Sequence, residues 1–329
     1  MSNINLSLNL NISSTSSQDF IPPILKFWLY LIFHIPSFFC TLFVLYHLLF
    51  DRTLRRSLNN HVIIVLLFTV LFCEVTNYPW MLYYYYHTTW QKPYVFCVVW
   101  GFIDWAVYML QLILFAWASI ERHILIFHDQ WVSTKRKRFW IHYFPLIFIL
   151  LYWFIFYTFV YFYPTCQNQY DSTDMICMDA CLFNIFSFRA FETFVNNIIP
   201  SLTIVIFSVL LLLRVFRQKY RMRQQIQWRK HRKMTIQLLW IAVLYLLITS
   251  PWAIIIFLRL CGLPPNIGAG FENIAVFLSY YIVLLFPFVS LLSLPELYNK
   301  LKKICHRQPR QTRIKREPIP ARNNQVTPL

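Results

Sequence analysis

Residues 96–127 read FCVVWGFIDWAVYMLQLILFAWASIERHILIF, with a cysteine near one end, an arginine near the other and a mostly apolar run between. Cys97 and Arg122 are 25 residues apart, about 37 Å of helix, which is one tilted crossing of a hydrocarbon core roughly 30 Å thick. Six further stretches are as long and as apolar, which places seven spans near 24–50, 60–83, 96–127, 139–163, 190–218, 231–259 and 272–296. The fourth and sixth carry no acidic or basic side chain across their centres, where a soluble helix would show a charged face. With 58% hydrophobic and 13% charged residues among 329, the composition is that of a lipid-embedded chain. The expected fold is an all-α membrane protein, a seven-transmembrane helix bundle.

The basic residues orient it. The first, third and fifth loops and the C-terminal tail hold 26 of the 30 Lys and Arg, and the opposite side holds Lys26, Lys92, Arg189 and Arg259. Short cytoplasmic loops accumulate such residues, so the N-terminus is expected outside and the C-terminus in the cytoplasm of a multi-pass plasma-membrane protein. The net charge of +17 therefore points to anionic membrane lipid as a partner and not to nucleic acid. Residues 1–23 read as an extracellular tail without the basic n-region of a signal peptide. Asn5 and Asn11 head glycosylation sequons there. Residues 24–305 form the helical domain, and 306–329 have no apolar period and are expected to be disordered.

Cys97, Cys166, Cys177 and Cys181 fall on the outer side, where disulfides persist, and four cysteines allow three pairings. The expectation is Cys97 with Cys177 or Cys181, and Cys166 with the remaining loop cysteine. Any full pairing ties the second outer loop to the third span.

From Cys97 through Ile120-Glu121-Arg122-His123, the chain resembles the rhodopsin-like class (class A) of G-protein-coupled receptors, as a divergent member, over about 25–305. Trp153, Pro200, Pro251 and the ending Leu294-Pro295-Glu296-Leu297-Tyr298 match the class as well. The resemblance implies a short surface helix over Asn299–Ile304, with Cys305 as a palmitoylation site. It implies an extracellular ligand, cationic amine or peptide, and a heterotrimeric G protein as partners, with Glu121, Arg122, Pro251, Pro295 and Tyr298 in coupling and activation. The departures are specific: Val70 or a neighbour stands near the class's aspartate, Thr249 replaces its tryptophan, and Leu294 precedes Pro295. The basic run Arg229–Lys233 replaces the acid that often holds the arginine, so appreciable basal signalling is expected.

Charges inside a membrane are costly and mark functional sites. Asp104 lies 18 residues before Arg122, about 27 Å up the same helix and so in its outer third. Amine-binding members of the class also carry aspartate there. Glu192 is eight residues before Pro200. Two carboxylates sharing a cavity with Tyr108, Trp252, Tyr280 and Tyr281 suit a cation through ion pairing and cation–π contact. Glu74, in mid-second span, reads as a protonated structural carboxyl.

Other functions find less support. Nine scattered histidines lack metal-ligand spacing, four glycines cannot build a phosphate loop, and the seventh span has no lysine for retinal, so no catalytic residue, metal or cofactor is expected. The alternative is a multi-span transporter or channel, for which mid-span prolines and Glu74 would serve. An odd span count without a visible inverted repeat speaks against it.

Overall fold

The computed structural model describes residues 21–87, 90–127, 129–172, 174–221, 243, 247–264, 267–294, 297–298 and 300–301. Among these are six helices long and apolar enough to cross a membrane: the first, Pro23–Phe50; second, Asn60–Tyr86; third, Tyr94–Leu125; fourth, Lys135–Phe162; fifth, Phe186–Arg214; and seventh, Ala269–Leu292. An apolar helix over Leu247–Leu260 occupies the sixth position. Its preceding basic run, Arg229–Lys233, lies outside the described residues, as do Asn5, Asn11, Pro295 and Cys305.

Polar residues set where some of these helices begin and end. Thr134 accepts a bond from the Lys137 N–H through its hydroxyl oxygen, so the fourth helix begins in the basic run at Lys135. Asp51 stops the first helix and caps a short one over Arg52–Arg56, taking hydrogen bonds from the Thr53 amide at 3.0 Å and hydroxyl at 2.6 Å.

The third helix is the centre of the bundle, packed against the second, fourth and fifth, while the first packs against the second and seventh. Of its most apolar window 67% is buried, against 17% for the fourth. The fourth instead turns Phe148, Leu151, Phe154, Ile155 and Phe159 outward. Such a face would be an aggregation hazard in water and is ordinary against lipid.

Among the described residues, three π-helical turns interrupt the bundle, Phe102–Ala106, Phe139–Tyr143 and Glu192–Ile198. Two of them end just before Pro145 and Pro200. A proline has no N–H for the carbonyl four residues back and its ring pushes that carbonyl aside, so the preceding turn widens. The third follows Gly101, where an added Cβ would lie 3.0 Å from the Tyr161 ring and 3.2 Å from the Met178 carbonyl oxygen. Each turn re-aims a polar side chain into the bundle: Asp104, His142 and Glu192.

Met178 belongs to a two-stranded antiparallel hairpin, Gln169–Tyr170 with Met178–Asp179, lying against the head of the third helix. Disulfides Cys97–Cys177 and Cys166–Cys181 pin it there. This end of the bundle is called the disulfide end below, and the end bearing Glu121 and Arg122 the arginine end.

Candidate functional site

A cavity of about 420 Å³ opens under the hairpin, between the third, fifth, sixth and seventh helices. Asp104 reaches it from the widened turn after Gly101. Its Oδ1 accepts from Asn77 Nδ2 at 2.7 Å and from the Tyr280 hydroxyl at 2.9 Å, which also lies 3.0 Å from Oδ2. Asn77 is itself aimed by Trp100, whose indole N–H donates to its Oδ1 at 2.7 Å. The second, third and seventh helices thus hold one carboxylate with neutral donors.

Glu192 lines the same cavity from the fifth helix but already accepts three hydrogen bonds. Oε1 accepts from the Tyr157 hydroxyl at 2.5 Å and the Trp105 indole at 3.0 Å, and Oε2 from Asn196 Nδ2 at 2.5 Å. Only 3% of the residue is exposed, so it braces the third, fourth and fifth helices more than it faces the cavity. Trp252 closes the floor, with ring centroids 5.2 Å from Tyr108 and 5.6 Å from Trp105, both edge-on.

Among the described residues, four carboxyl groups line the cavity, Asp104, Asp179, Glu192 and Glu272, against two guanidinium groups, Arg189 and Arg259. Arg259 is committed to Glu272 at 2.5 Å, joining the sixth and seventh helices. Neither arginine pairs with Asp104 or Glu192 through any bond found among the described residues. Burial, and then Asp174, hold the Asp179 carboxyl above the ordinary carboxylate range.

Tyr108, Trp252, Tyr280, Asp104 and Glu192 therefore come together around one cavity. Tyr281 does not line it. Its position one residue past Tyr280 turns its ring toward the first helix, where it stacks on Tyr30 at 5.4 Å and 26°.

Sequence reasoning passed over Asn77, Tyr157 and Asn196, which do the holding, because a neutral polar residue inside an apolar span carries no charge signal. It counted Lys92 among the outer basic residues without placing it. Lys92 is 2% exposed, donates to the Asp174 carbonyl at 2.6 Å and has its ammonium 4.7 Å from the Tyr84 ring and 5.5 Å from that of Trp90. Burial pulls its pKa below the usual lysine value.

At the arginine end, Glu121 and Arg122 are each 2% exposed. Glu121 is bonded to His142 of the fourth helix, whose other ring nitrogen lies 2.8 Å from His61 Nδ1. Pro251 sits within the sixth helix, and Tyr298 is 44% exposed beyond the seventh. Glu74, in the second helix, accepts from the Ser37 hydroxyl at 2.6 Å. Lys300 pairs with Asp51 at 3.2 Å, and bonds from Thr53, then Lys300, lower the Asp51 pKa to about 2.

This arrangement has relatives. A squid rhodopsin crystal structure superposes with a TM-score of 0.65 over 86% of each chain at 17% identity, which speaks for the fold alone. No curated protein sequence matches. The family model described as "7 transmembrane receptor (rhodopsin family)" matches residues 41–292, from within the first helix to the last turn of the seventh. On that match, across most of its length, the chain belongs to the rhodopsin family of seven-transmembrane receptors.

Proposed function

We propose that this receptor sits in the plasma membrane with its disulfide end outside, binds a cationic ligand in the cavity under the hairpin, and activates a heterotrimeric G protein at its arginine end. The observation that carries the ligand class is the imbalance of charge. Four carboxyl groups face two guanidinium groups, one of them already spent on Glu272. Asp104 is held only by the neutral donors Asn77 and Tyr280 among the described residues, so no cation of the chain competes with a ligand for it. The walls of Trp105, Tyr108 and Trp252 add a π-face for an ammonium, free or carried on a peptide. The orientation rests on 26 of 30 basic residues falling on the side of the arginine end.

Ligand in the cavity bears on the sixth helix through Trp252, one residue from Pro251. A proline leaves a carbonyl unbonded and gives the helix a hinge at which two arrangements differ little in energy. A ligand favouring one of them shifts the balance, and the arginine end reports it. The test is a screen of amines, then basic peptides, against purified receptor in lipid nanodiscs with G protein, read as nucleotide exchange. Agonist-driven exchange abolished by Arg122→Ala supports the reading. Ligand flux across proteoliposomes without exchange would replace it with a transporter.

A further inference from the structure

At the arginine end, four groups on three membrane helices and the short helix Arg52–Arg56 form one line. His61 Nε2 lies 2.9 Å from the Arg55 carbonyl oxygen, His61 Nδ1 lies 2.8 Å from His142 Nε2, and His142 Nδ1 meets Glu121 Oε1. His142 and Glu121 are buried, at 1% and 2% exposure. His61 stands at the start of the second helix, Glu121 near the end of the third and His142 on the widened turn that follows the first turn of the fourth.

Counting donors decides what this line holds. A carbonyl oxygen only accepts, so His61 must carry a proton on Nε2. The imidazole-to-imidazole contact needs one proton, and so does the contact with Glu121. Three bonds require three protons, whereas two neutral imidazoles and a carboxylate supply two. With Glu121 ionised, one ring must be an imidazolium; with Glu121 protonated, both rings are neutral. The total is the same either way. Without the third proton, two nitrogen lone pairs face each other at 2.8 Å or another of the bonds is lost. That spacing suits a shared proton better than a metal, since two nitrogens on a tetrahedral zinc at about 2.0–2.1 Å each stand roughly 3.3 Å apart.

We propose that His61, His142 and Glu121 form a proton-binding site that ties the second, third and fourth helices together beside Arg122. Acidification of the compartment bathing this end fills the site and holds the tie; alkalinisation empties it and breaks one of the three bonds, loosening the tie. The surrounding charged and titratable groups are Arg55 before His61, Arg122 and His123 on the third helix, Tyr143 against both imidazoles, and Lys135, Arg136, Lys137 and Arg138 leading into His142. Asp51, the acid of the adjoining loop, is committed to Thr53 and Lys300. The cations favour the emptied, negative trio and the three hydrogen bonds favour the filled one, so neither state wins outright. The site does not depend on what the cavity at the other end binds.

The test uses full-length receptor in nanodiscs with a metal chelator present. A polarity-sensitive fluorophore is attached at Ser133→Cys, in the exposed loop between the third and fourth helices, in a Cys261→Ser, Cys305→Ser background. Between pH 5.5 and 8 the wild-type residues should give a one-proton transition, in which the ratio of tied to released forms changes by up to tenfold per pH unit. His61→Gln supplies the missing donor from an amide that does not titrate, so it should flatten the transition while leaving the probe in its low-pH state. His142→Gln should flatten it as well. A transition of undiminished size in both variants, or none in the parent, overturns the proposal. So does a transition that follows added zinc at fixed pH, in the absence of chelator, and not protons.

Discussion

Replacing Asp104 with asparagine separates charge from scaffolding. Asn77 Nδ2 and the Tyr280 hydroxyl both reach Oδ1, at 2.7 and 2.9 Å. The substituted amide keeps an oxygen there, so both bonds survive and the fold should lose less than about 1 kcal/mol. What disappears is the charged acceptor for a ligand ammonium, about 1.5–3 kcal/mol for a charge-assisted bond, or roughly 10- to 150-fold in affinity. Glu192→Gln is the reverse case. Its two oxygens accept three donors, and an amide NH₂ in place of one oxygen confronts another donor. The expected cost is about 1–3 kcal/mol of stability, since a buried donor is left unmade. Saturation binding of a cationic agonist and thermal unfolding of nanodisc-embedded receptor, measured on both variants, distinguish the roles. If Asp104→Asn binds that agonist as tightly as the parent, Asp104 is not the counter-charge and the account of the cavity fails.

Removing Cys97–Cys177, whose cysteines are 80 residues apart, should destabilise by about 4.5 kcal/mol on a chain-entropy argument, against about 3 kcal/mol for Cys166–Cys181, 15 apart; paired serine variants compared by thermal unfolding test the order. Gly101→Ala pushes a methyl against the Met178 carbonyl, which cannot yield as a flexible side chain would, so a loss of about 1–3 kcal/mol and weaker ligand binding are expected from a displaced hairpin. Asp179, held above the ordinary carboxylate range, binds its proton earlier as pH falls, so cationic-ligand affinity should decline on mild acidification of the disulfide side; Asp179→Asn should bind more weakly at neutral pH and lose that part of the decline.

The spans were legible because lipid leaves helices few ways to be built, and length and apolarity alone mark them. Asp104 and Glu192 were legible too, since an ionised group in an apolar run stands out. Their different standing was not. Nothing in the sequence shows that Tyr157, Trp105 and Asn196 converge on Glu192 from three helices, because long-range contacts leave no local pattern. The π turns explain part of the gap: Asp104, His142 and Glu192 all sit where the helical period is broken. A 3.6-residue reading misplaces side chains there. Tyr281 was misplaced for a different reason: one residue past Tyr280 is a turn of about 100° around the helix, which carries its ring onto Tyr30 and out of the cavity. Pro145 and Pro200 carry a usable signal, each preceded by a widened turn that presents a polar residue. His61 and His142, 81 residues apart, had no signal at all.

The claim that one end of this bundle reads a cation and the other reports it is tested most directly by guanine nucleotide exchange on a purified heterotrimer. The receptor is held in nanodiscs and titrated with a cationic agonist. Exchange should rise with agonist, shift to higher concentration in Asp104→Asn without losing its maximum, and vanish in Arg122→Ala. Exchange that ignores agonist in the parent, or that persists in Arg122→Ala, would contradict it.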